Sequence, residues 1–209
     1  MKTFDIITET DARTLEIGSA VALKPGGHIT PLAQDTLRAR RITVHQGVPE
    51  AALDGLVPVA DIRAVAIGSD HSGVALKAAL LAHLRQRGLS VLDIGTHGPD
   101  PVDYPDIAAQ VARLVARREV DAGIVIDGAG LGSTIAANKI DGARAAMCTD
   151  KTLARYAREH NGANVLALGA TLVSTDEAKA IVDTWMGTKM GEARYIRRLA
   201  KIRALEKTQ

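Results

Sequence analysis

The chain has 209 residues, of which 46% are hydrophobic and 24% are charged, and its formal net charge is +2. This composition is typical of a globular protein with one domain of ordinary size and a small appendage. The small net charge and an aromatic content of 2% argue against nucleic-acid binding, which needs a basic surface or stacking platforms. No apolar run approaches the roughly 18 residues that cross a membrane, and the N-terminus lacks the apolar core of a secretory signal.

The cysteine and histidine content restricts the chemistry further. A single cysteine, Cys148, excludes an internal disulfide framework and fits a reducing compartment. Because it lies in an apolar run, we interpret it as a buried small hydrophobe rather than a nucleophile. No Cys/His cluster has zinc-ligand spacing. We expect a cytoplasmic protein without a metal or cofactor and without a nucleic-acid or membrane partner.

Residues 1–45 predict a small N-terminal α+β extension. Its candidate elements are a helix over 8–15, a strand over 21–23, a turn at 25–27, a helix that starts with Thr30 and Pro31, and a strand over 42–44. Such a segment is too small for a robust core of its own, so we expect it to dock on something. Residues 46–62, which contain Pro49, Gly55 and Pro58, read as a linker.

Residues 63–205 alternate short apolar runs with helical patterns. The predicted strands are 64–68, 90–94, 123–126, 145–148 and 165–168, and the predicted helices include 74–87, 106–118, 151–159 and one that runs from a capping box at Ser174 and Glu177 to about Gly187. Alternating strands and helices predict an α/β fold: a Rossmann-like, doubly wound parallel sheet of five strands in an α/β/α arrangement.

In such a sheet, ligands bind beyond the carboxyl ends of the strands. One of these ends carries alternate glycines, Gly128, Gly130 and Gly132, after an apolar run that closes with Asp127. Glycines let the backbone approach a ligand, and the amides of a helix start favour an anion. The loop has neither the nucleoside-triphosphate pattern nor the dinucleotide fingerprint. We therefore predict a phosphate site in which Asp127 is a candidate base.

Other polar residues allow two interpretations each. Asp70 and His71 follow a predicted strand and could bind a sugar hydroxyl and a phosphate, or Asp70 could only cap a helix. His160 with Asn161 could be a general acid/base pair or a cation at a helix end. Tyr104 could line a ligand pocket or belong to a turn. The basic C-terminal run could bind phosphate or form a solvated helix face.

Five segments, taken together and in this order, form a pattern: Gly68 to Lys77, Asp93 to Thr96, Asp103 to Pro105, Gly130 to Lys139, and Ala157 to Leu166. With this pattern, the chain resembles the type B ribose-5-phosphate isomerases, whose relatives include galactose-6-phosphate isomerase subunits. The resemblance covers about residue 65 to 202.

This resemblance implies metal-free interconversion of ribose 5-phosphate and ribulose 5-phosphate, in a homodimer or larger homo-oligomer with shared active sites. It implies that Asp70 contacts the sugar and His71 the phosphate, that Tyr104 lines the sugar pocket, and that His160 beside Asn161 opens the furanose ring. The loop amides would stabilise the enediolate. The implied set of substrate-binding residues is completed by Gly128, Gly130, Gly132, Ser133, Asn138, Arg194 and Arg198.

The chain departs from the family pattern at the base. Many members have cysteine where this chain has Asp127, and another branch has a glutamate where this chain has Ser133. Ala129 replaces a loop threonine or serine, and Ala170 or Thr171 stands where a phosphate-binding arginine is usual. Asp127 could serve as the base if its surroundings exclude water. The departures leave three alternatives open: ribose 5-phosphate, another pentose or hexose phosphate, or a non-catalytic phosphosugar-binding or scaffold protein.

The N-terminal extension has a shorter resemblance of its own. Residues 23–33 resemble the leader domains of enzymes linked to bacterial microcompartments. The resemblance implies that residues 1–45 dock to a shell or cargo protein, which would place the protein inside a microcompartment. The alternative is an accessory cap on the same protomer.

Overall fold

The structure is a computed structural model that describes residues 2–46, 55–190 and 193–206. The chain divides into two compact units, Pro58–Met190 and a second unit made of Met1–Val57 with Gly191–Gln209. Residues 47–54 of the predicted linker lie outside the described residues.

The unit Pro58–Met190 contains a parallel sheet of five strands. Strands are numbered along the whole chain, and the first three belong to the other unit. The five strands of this sheet are β4 (Ala64–Ser69), β5 (Ser90–Gly95), β6 (Ala122–Asp127), β7 (Ala145–Met147) and β8 (Val165–Gly169). Their spatial order is β5-β4-β6-β8-β7. The predicted doubly wound α/β fold is therefore confirmed, with strand ends within one residue of their predicted positions.

Helices cover both faces of this sheet. They are α3 (Val74–Gln86), α4 (Tyr104–Ala116), α5 (Leu131–Ala137), α6 (Lys151–Glu159) and α7 (Thr175–Gly187). One core joins α3, α6 and α7 to Ile67, Ile124 and Leu166, and the other joins α4 and α5 to Ala66 and Val125. Alternate residues of one strand serve opposite cores, because successive side chains point to opposite faces. Helix α3 buries Leu76, Leu80, Leu81 and Leu84 on one face.

The N-terminal unit is a second parallel sheet with order β1-β2-β3. Its elements are β1 (Thr3–Ile7), α1 (Glu9–Thr14), β2 (Ala20–Ile29), α2 (Pro31–Ala39) and β3 (Thr43–Gln46), and the unit also contains the C-terminal helix α8 (Ala193–Glu206). Ile7, Leu23 and Leu37 form part of its core. Helix α8 packs on β3, where His45 is 6% exposed. Burial, and then the charge of Arg197, lowers the pKa of His45.

Two details of the N-terminal prediction are wrong. Strand β1 was not predicted, because its period-two pattern is broken by Asp5. The predicted turn at 25–27 does not end a strand: β2 continues to Ile29, with an irregularity in which Leu23 pairs with Phe4 and His28 with Ile6. Four residues of β2, 24–27, therefore lie opposite one residue of β1. Because these four include a proline and two glycines, the sequence predicts a turn there.

The predicted division into residues 1–45, 46–62 and 63–205 stays a prediction. It assigns α8 to the isomerase domain, whereas the compact units group α8 with the N-terminal segment. Among the described residues, no helix has the length and apolarity needed to span a bilayer.

Candidate active site

The loops after β4, β6 and β8 meet at the carboxyl edge of the five-stranded sheet. Backbone hydrogen bonds join them: the Asp70 amide donates to the Ile126 carbonyl at 3.0 Å, and the Ala170 amide donates to the Asp127 carbonyl at 2.8 Å. The predicted sugar-binding turn and the glycine loop are thus neighbours. This edge is where an open parallel sheet binds its ligand.

The Asp127 carboxylate is 5% exposed and accepts hydrogen bonds from its own loop. Oδ1 accepts from the amides of Ala129, at 2.9 Å, and Gly130. Oδ2 accepts from the amide of Ser133 at 2.7 Å. The carboxylate therefore organises the loop, and Oδ2, which accepts one bond, keeps more acceptor capacity than Oδ1.

The glycine loop needs two of its glycines for distinct reasons. Gly130 has a φ of 76°, and a Cβ there would lie 2.9 Å from the Leu168 carbonyl carbon. At Gly132, a Cβ would overlap the Tyr104 ring. The Tyr104 ring therefore lies against the start of α5. Because Tyr104 is 39% exposed, part of its side chain remains in solvent. The structure therefore brings Tyr104 to the loop, and its place in the sugar pocket stays a prediction.

Asp70 caps the turn that leads into α3. Its Oδ1 accepts from the amides of Ser72, at 2.9 Å, and Gly73, at 3.2 Å, while its Oδ2 has no hydrogen-bond partner in the described parts of the chain. Capping and ligand binding are therefore compatible, because each uses a different oxygen. The His71 Nδ1 accepts from the Val102 amide at 3.4 Å, which favours the neutral tautomer with its proton on Nε2. That N–H is a suitable donor for a phosphate oxygen.

His160 and Asn161 lie at the opposite edge of the same sheet. The N-cap of helix α6, Asp150, comes just after β7, and its C-cap, His160, comes before β8 begins. Its nine residues span about 14 Å, which carries His160 away from the carboxyl edge. The strands β7 and β8 start at this amino edge. A hydrogen bond from the Asn164 amide to the Arg144 carbonyl, at 3.0 Å, joins the residues just before them. Within one chain, the structure does not bring His160 to the glycine loop.

Asn138 is also at the amino edge. Its Nδ2 donates to the Ala145 carbonyl at 2.9 Å, and its Oδ1 accepts from the Ala145 amide at 2.8 Å. Both ends of the side chain are thus used to hold the start of β7 beside the end of α5. Substrate binding by Asn138 stays a prediction, and one chain alone does not place it near the loop.

The predicted phosphate-binding arginines belong to α8 in the N-terminal unit. Arg198 lies over the Tyr195 ring, 5.8 Å from its centroid. The Arg194 side chain lies outside the described residues. Their proposed contact with phosphate stays a prediction.

Comparisons with known proteins address the family directly. A family model described as Ribose/Galactose Isomerase matches residues 65–202. The chain belongs to this isomerase family. "Ribose-5-phosphate isomerase B" of Escherichia coli strain K12 is 45% identical over 145 residues, which are 69% of this chain and 97% of that protein.

Solved structures of the ribose/galactose isomerase family agree with the fold. Ribose-5-phosphate isomerase B of Clostridium thermocellum is 50% identical, with a TM-score of 0.68 over 69% of this chain and 97% of that one. Ribose-5-phosphate isomerase B of Mycoplasma genitalium, solved with bound ribulose-5-phosphate, is 38% identical, with a TM-score of 0.68 over 70% of this chain and 97% of that one. The family match begins at residue 65, so the N-terminal sheet precedes it.

Sequence reasoning did not predict several contacts that support the candidate site. The Thr171 hydroxyl donates to the Gly128 carbonyl at 2.7 Å and so ties the loop after β8 to the glycine loop. Lys77 is 2% exposed and pairs with Asp93. Although burial acts in the opposite direction, the hydrogen bonds from Lys77 and from the Gly95 amide lower the pKa of Asp93. These contacts join residues far apart in sequence, so spacing could not reveal them.

Two arginines hold the turn that follows His160. Arg158 is 1% exposed and donates to the Ala163 carbonyl at 2.8 Å and the Val59 carbonyl at 2.6 Å, with its guanidinium 4.6 Å from the centroid of the Trp185 ring. Burial, and then the charge of Arg144, lowers the pKa of Arg158 to about 10. Arg144 Nε donates to the Gly162 carbonyl at 2.8 Å. The backbone beside His160 is therefore fixed from within the protein.

Proposed function

We propose that this protein is an aldose–ketose isomerase that interconverts ribose 5-phosphate and ribulose 5-phosphate. The observation that carries the proposal is the joint presence of the family fold and a buried carboxylate, Asp127, inside a glycine loop at the carboxyl edge. The relatives named ribose-5-phosphate isomerase B, which this chain matches over nearly their whole length, support ribose 5-phosphate as the substrate.

Isomerisation moves one proton between two adjacent carbons. We propose that Asp127 Oδ2 takes the proton from C2 of the open-chain aldose and returns it to C1 through an enediolate, while the hydroxyl proton moves from O2 to O1. The amides of Leu131 and Gly132 have no hydrogen-bond partner among the described residues, whereas those of Ala129, Gly130 and Ser133 bind Asp127. The free amides are suited to stabilise the enediolate oxygens, because fixed donors need no reorganisation as charge develops.

The remaining substrate contacts follow the same assignment. Asp70 Oδ2 would accept from a sugar hydroxyl, His71 would donate to phosphate, and Tyr104 would close the pocket over Gly132. Arg194 and Arg198 would hold the phosphate, and Ser133 and Gly128 would shape the loop. These roles are compatible with three observations: Asp70 Oδ2 has no partner among the described residues, His71 Nε2 can donate, and the Tyr104 ring is partly exposed.

We also propose a homodimer, or a larger homo-oligomer, in which each active site is shared. The support is the separation of His160 from Asp127 within one chain: ring opening and proton transfer on one sugar need both groups, so His160 would come from the partner. The exposed side chains of Leu131 and Ile135, one turn apart on α5 and 59% and 64% exposed, offer apolar surface for such contact.

For the N-terminal unit we propose a docking role, in a cytoplasmic protein that resides inside a microcompartment. The support is the resemblance of residues 23–33 and the presence of exposed apolar residues on a unit with its own sheet and core. Ile17 is 72% exposed and Leu32 is 63% exposed. The partner would be a shell or cargo protein.

The experiment that tests the activity is a panel of aldose and ketose phosphates assayed for interconversion with the full chain in metal-free buffer. We expect ribose 5-phosphate to have the highest kcat/KM. A preference for a different pentose or hexose phosphate would replace the substrate and keep the enzyme class. Binding of phosphosugars without turnover of any of them would favour the phosphosugar-binding or scaffold alternative.

A further inference from the structure

The last two turns of α6 carry four side chains that contact one another around His160. Tyr156 and His160 are four residues apart and therefore lie on the same helix face. Their rings stack, with centroids 4.6 Å apart and planes inclined by 16°. The imidazole is thus held flat against an aromatic ring.

Charged groups complete this cluster. The Arg155 guanidinium carbon lies 4.8 Å from the centroid of the Tyr156 ring, and Arg155 Nη1 lies 3.6 Å from Glu159 Oε2. The same Glu159 oxygen lies 3.9 Å from His160 Nε2. The cluster therefore fixes the ring plane through Tyr156 and places a carboxylate beside one ring nitrogen.

The stacking contact is separable from the contacts that hold the backbone. Arg158 fixes the following turn from the buried side, whereas Tyr156 is 40% exposed. Asn161 Nδ2 donates to the Tyr156 carbonyl at 3.2 Å, and this bond involves only the backbone of Tyr156. A change of the Tyr156 side chain should therefore release the imidazole ring without unfolding the helix.

We propose that Tyr156 and Glu159 are positioning residues for His160 in the opening of the sugar ring. This inference rests on the proposed function, in which His160 serves ring opening. In that step the bond from C1 to the ring oxygen breaks, the ring oxygen gains a proton, and the C1 hydroxyl loses one as the carbonyl forms. Tyr156 holds the imidazole in one plane, and the Glu159 carboxylate, 3.9 Å from Nε2, favours the ring orientation that keeps Nε2 beside it.

The two directions of the reaction make this role measurable. Ribose 5-phosphate is mostly a furanose and must be opened. Ribulose 5-phosphate cannot close to a furanose, because its C5 oxygen carries the phosphate. Exchange of the C1 hydrogen of ribulose 5-phosphate with solvent deuterium therefore requires proton transfer but not ring opening.

The experiment compares Tyr156→Ala with Tyr156→Phe in both assays. For Tyr156→Ala we expect kcat for ribose 5-phosphate to fall about tenfold, a part of the usual general acid–base contribution, while deuterium exchange into ribulose 5-phosphate stays near the wild-type rate. Tyr156→Phe keeps the stack and should retain both activities. Equal loss in the two assays would indicate structural damage and overturn the proposal, as would an Ala variant that is unaffected in both.

Glu159 has its own matched pair. Glu159→Gln keeps the shape and removes the charge, and we expect a selective loss with ribose 5-phosphate. Glu119→Gln removes an exposed charge outside the cluster and should change neither assay. Loss in neither assay for Glu159→Gln would remove Glu159 from the proposal. Absence of both activities in the wild-type chain would instead contradict the proposed function itself.

Discussion

In the proposed mechanism, the Asp127 side chain has two tasks. Its three hydrogen bonds to loop amides build the cradle, and it places a carboxylate at the buried strand end, where the family resemblance implies cysteine in many members. In Asp127→Asn, the amide nitrogen would face at least one backbone N–H that needs an acceptor. The variant therefore loses the base and also disturbs the loop, so it does not separate the two tasks.

Asp127→Cys separates them better. We expect Asp127→Asn to reduce kcat/KM for ribose 5-phosphate by about a thousandfold, within the range for removal of an acid–base group, and Asp127→Cys to regain part of that loss. Thermal unfolding of both variants reports the damage to the loop. If Asp127→Asn turns over near the wild-type rate, the assignment of the base is wrong.

A thiol-specific reagent provides an independent measurement on the same variant. Burial, and then Asp150, raises the pKa of the native Cys148 thiol to about 12, and Cys148 is 1% exposed, so it should resist alkylation. Alkylation should then inactivate Asp127→Cys and leave the wild-type chain active. Inactivation of both proteins at the same rate would show that Cys148 is accessible after all.

At the scale of elements, the sequence predicts where strands lie better than it predicts which elements pack against each other. The five strands of the large sheet could be predicted because each is a short apolar run with a helix pattern after it. Strand β1 could not, because Asp5 interrupts its pattern and its pairing with β2 is irregular. Helix α8 belongs to the N-terminal unit because it packs against β3. The basic residues of this helix do not indicate that contact.

The site divides in the same way. The location of Asp70, Gly130 and Asp127 at the carboxyl edge could be predicted, because strand ends and glycine spacing are local features, whereas their roles stay predictions. The hydrogen bond of Thr171 with Gly128 and the hold of Arg158 on Val59 could not, since they depend on the folded chain. His160 lies at the other edge of the sheet because of the length and direction of α6. Only the family resemblance assigns His160 to the same active site as Asp127.

Helix α2 gives the docking proposal a test at this scale. It buries Ala33 and Leu37 and leaves Leu32 63% exposed, so Leu32→Glu should change the free energy of unfolding by no more than about 0.5 kcal/mol. We expect this variant of the full chain to lose co-sedimentation with purified microcompartments. Gln34→Glu adds the same charge at another exposed position of α2 and should co-sediment as the wild type does. If both variants co-sediment equally well, or if the wild type does not, docking through this surface is wrong.

At the scale of the whole molecule, the separation of Asp127 and His160 predicts complementation between inactive subunits. Asp127→Asn and His160→Asn are each expected to be inactive as homodimers. In a mixed dimer with shared sites, one site contains both native residues and the other contains both changes. Random assembly of the two variants should therefore restore about one quarter of the wild-type activity.

The measurement uses co-expressed chains with two different tags, purified in sequence to isolate the mixed dimer, and sedimentation to establish the subunit number. The isolated mixed dimer should have about half of the wild-type kcat with an unchanged KM, because one of its two sites is native. A mixed dimer as inactive as its parents would mean that each chain builds its site alone. In that case His160 would have no part in ring opening, since α6 keeps it at the other edge of its own sheet.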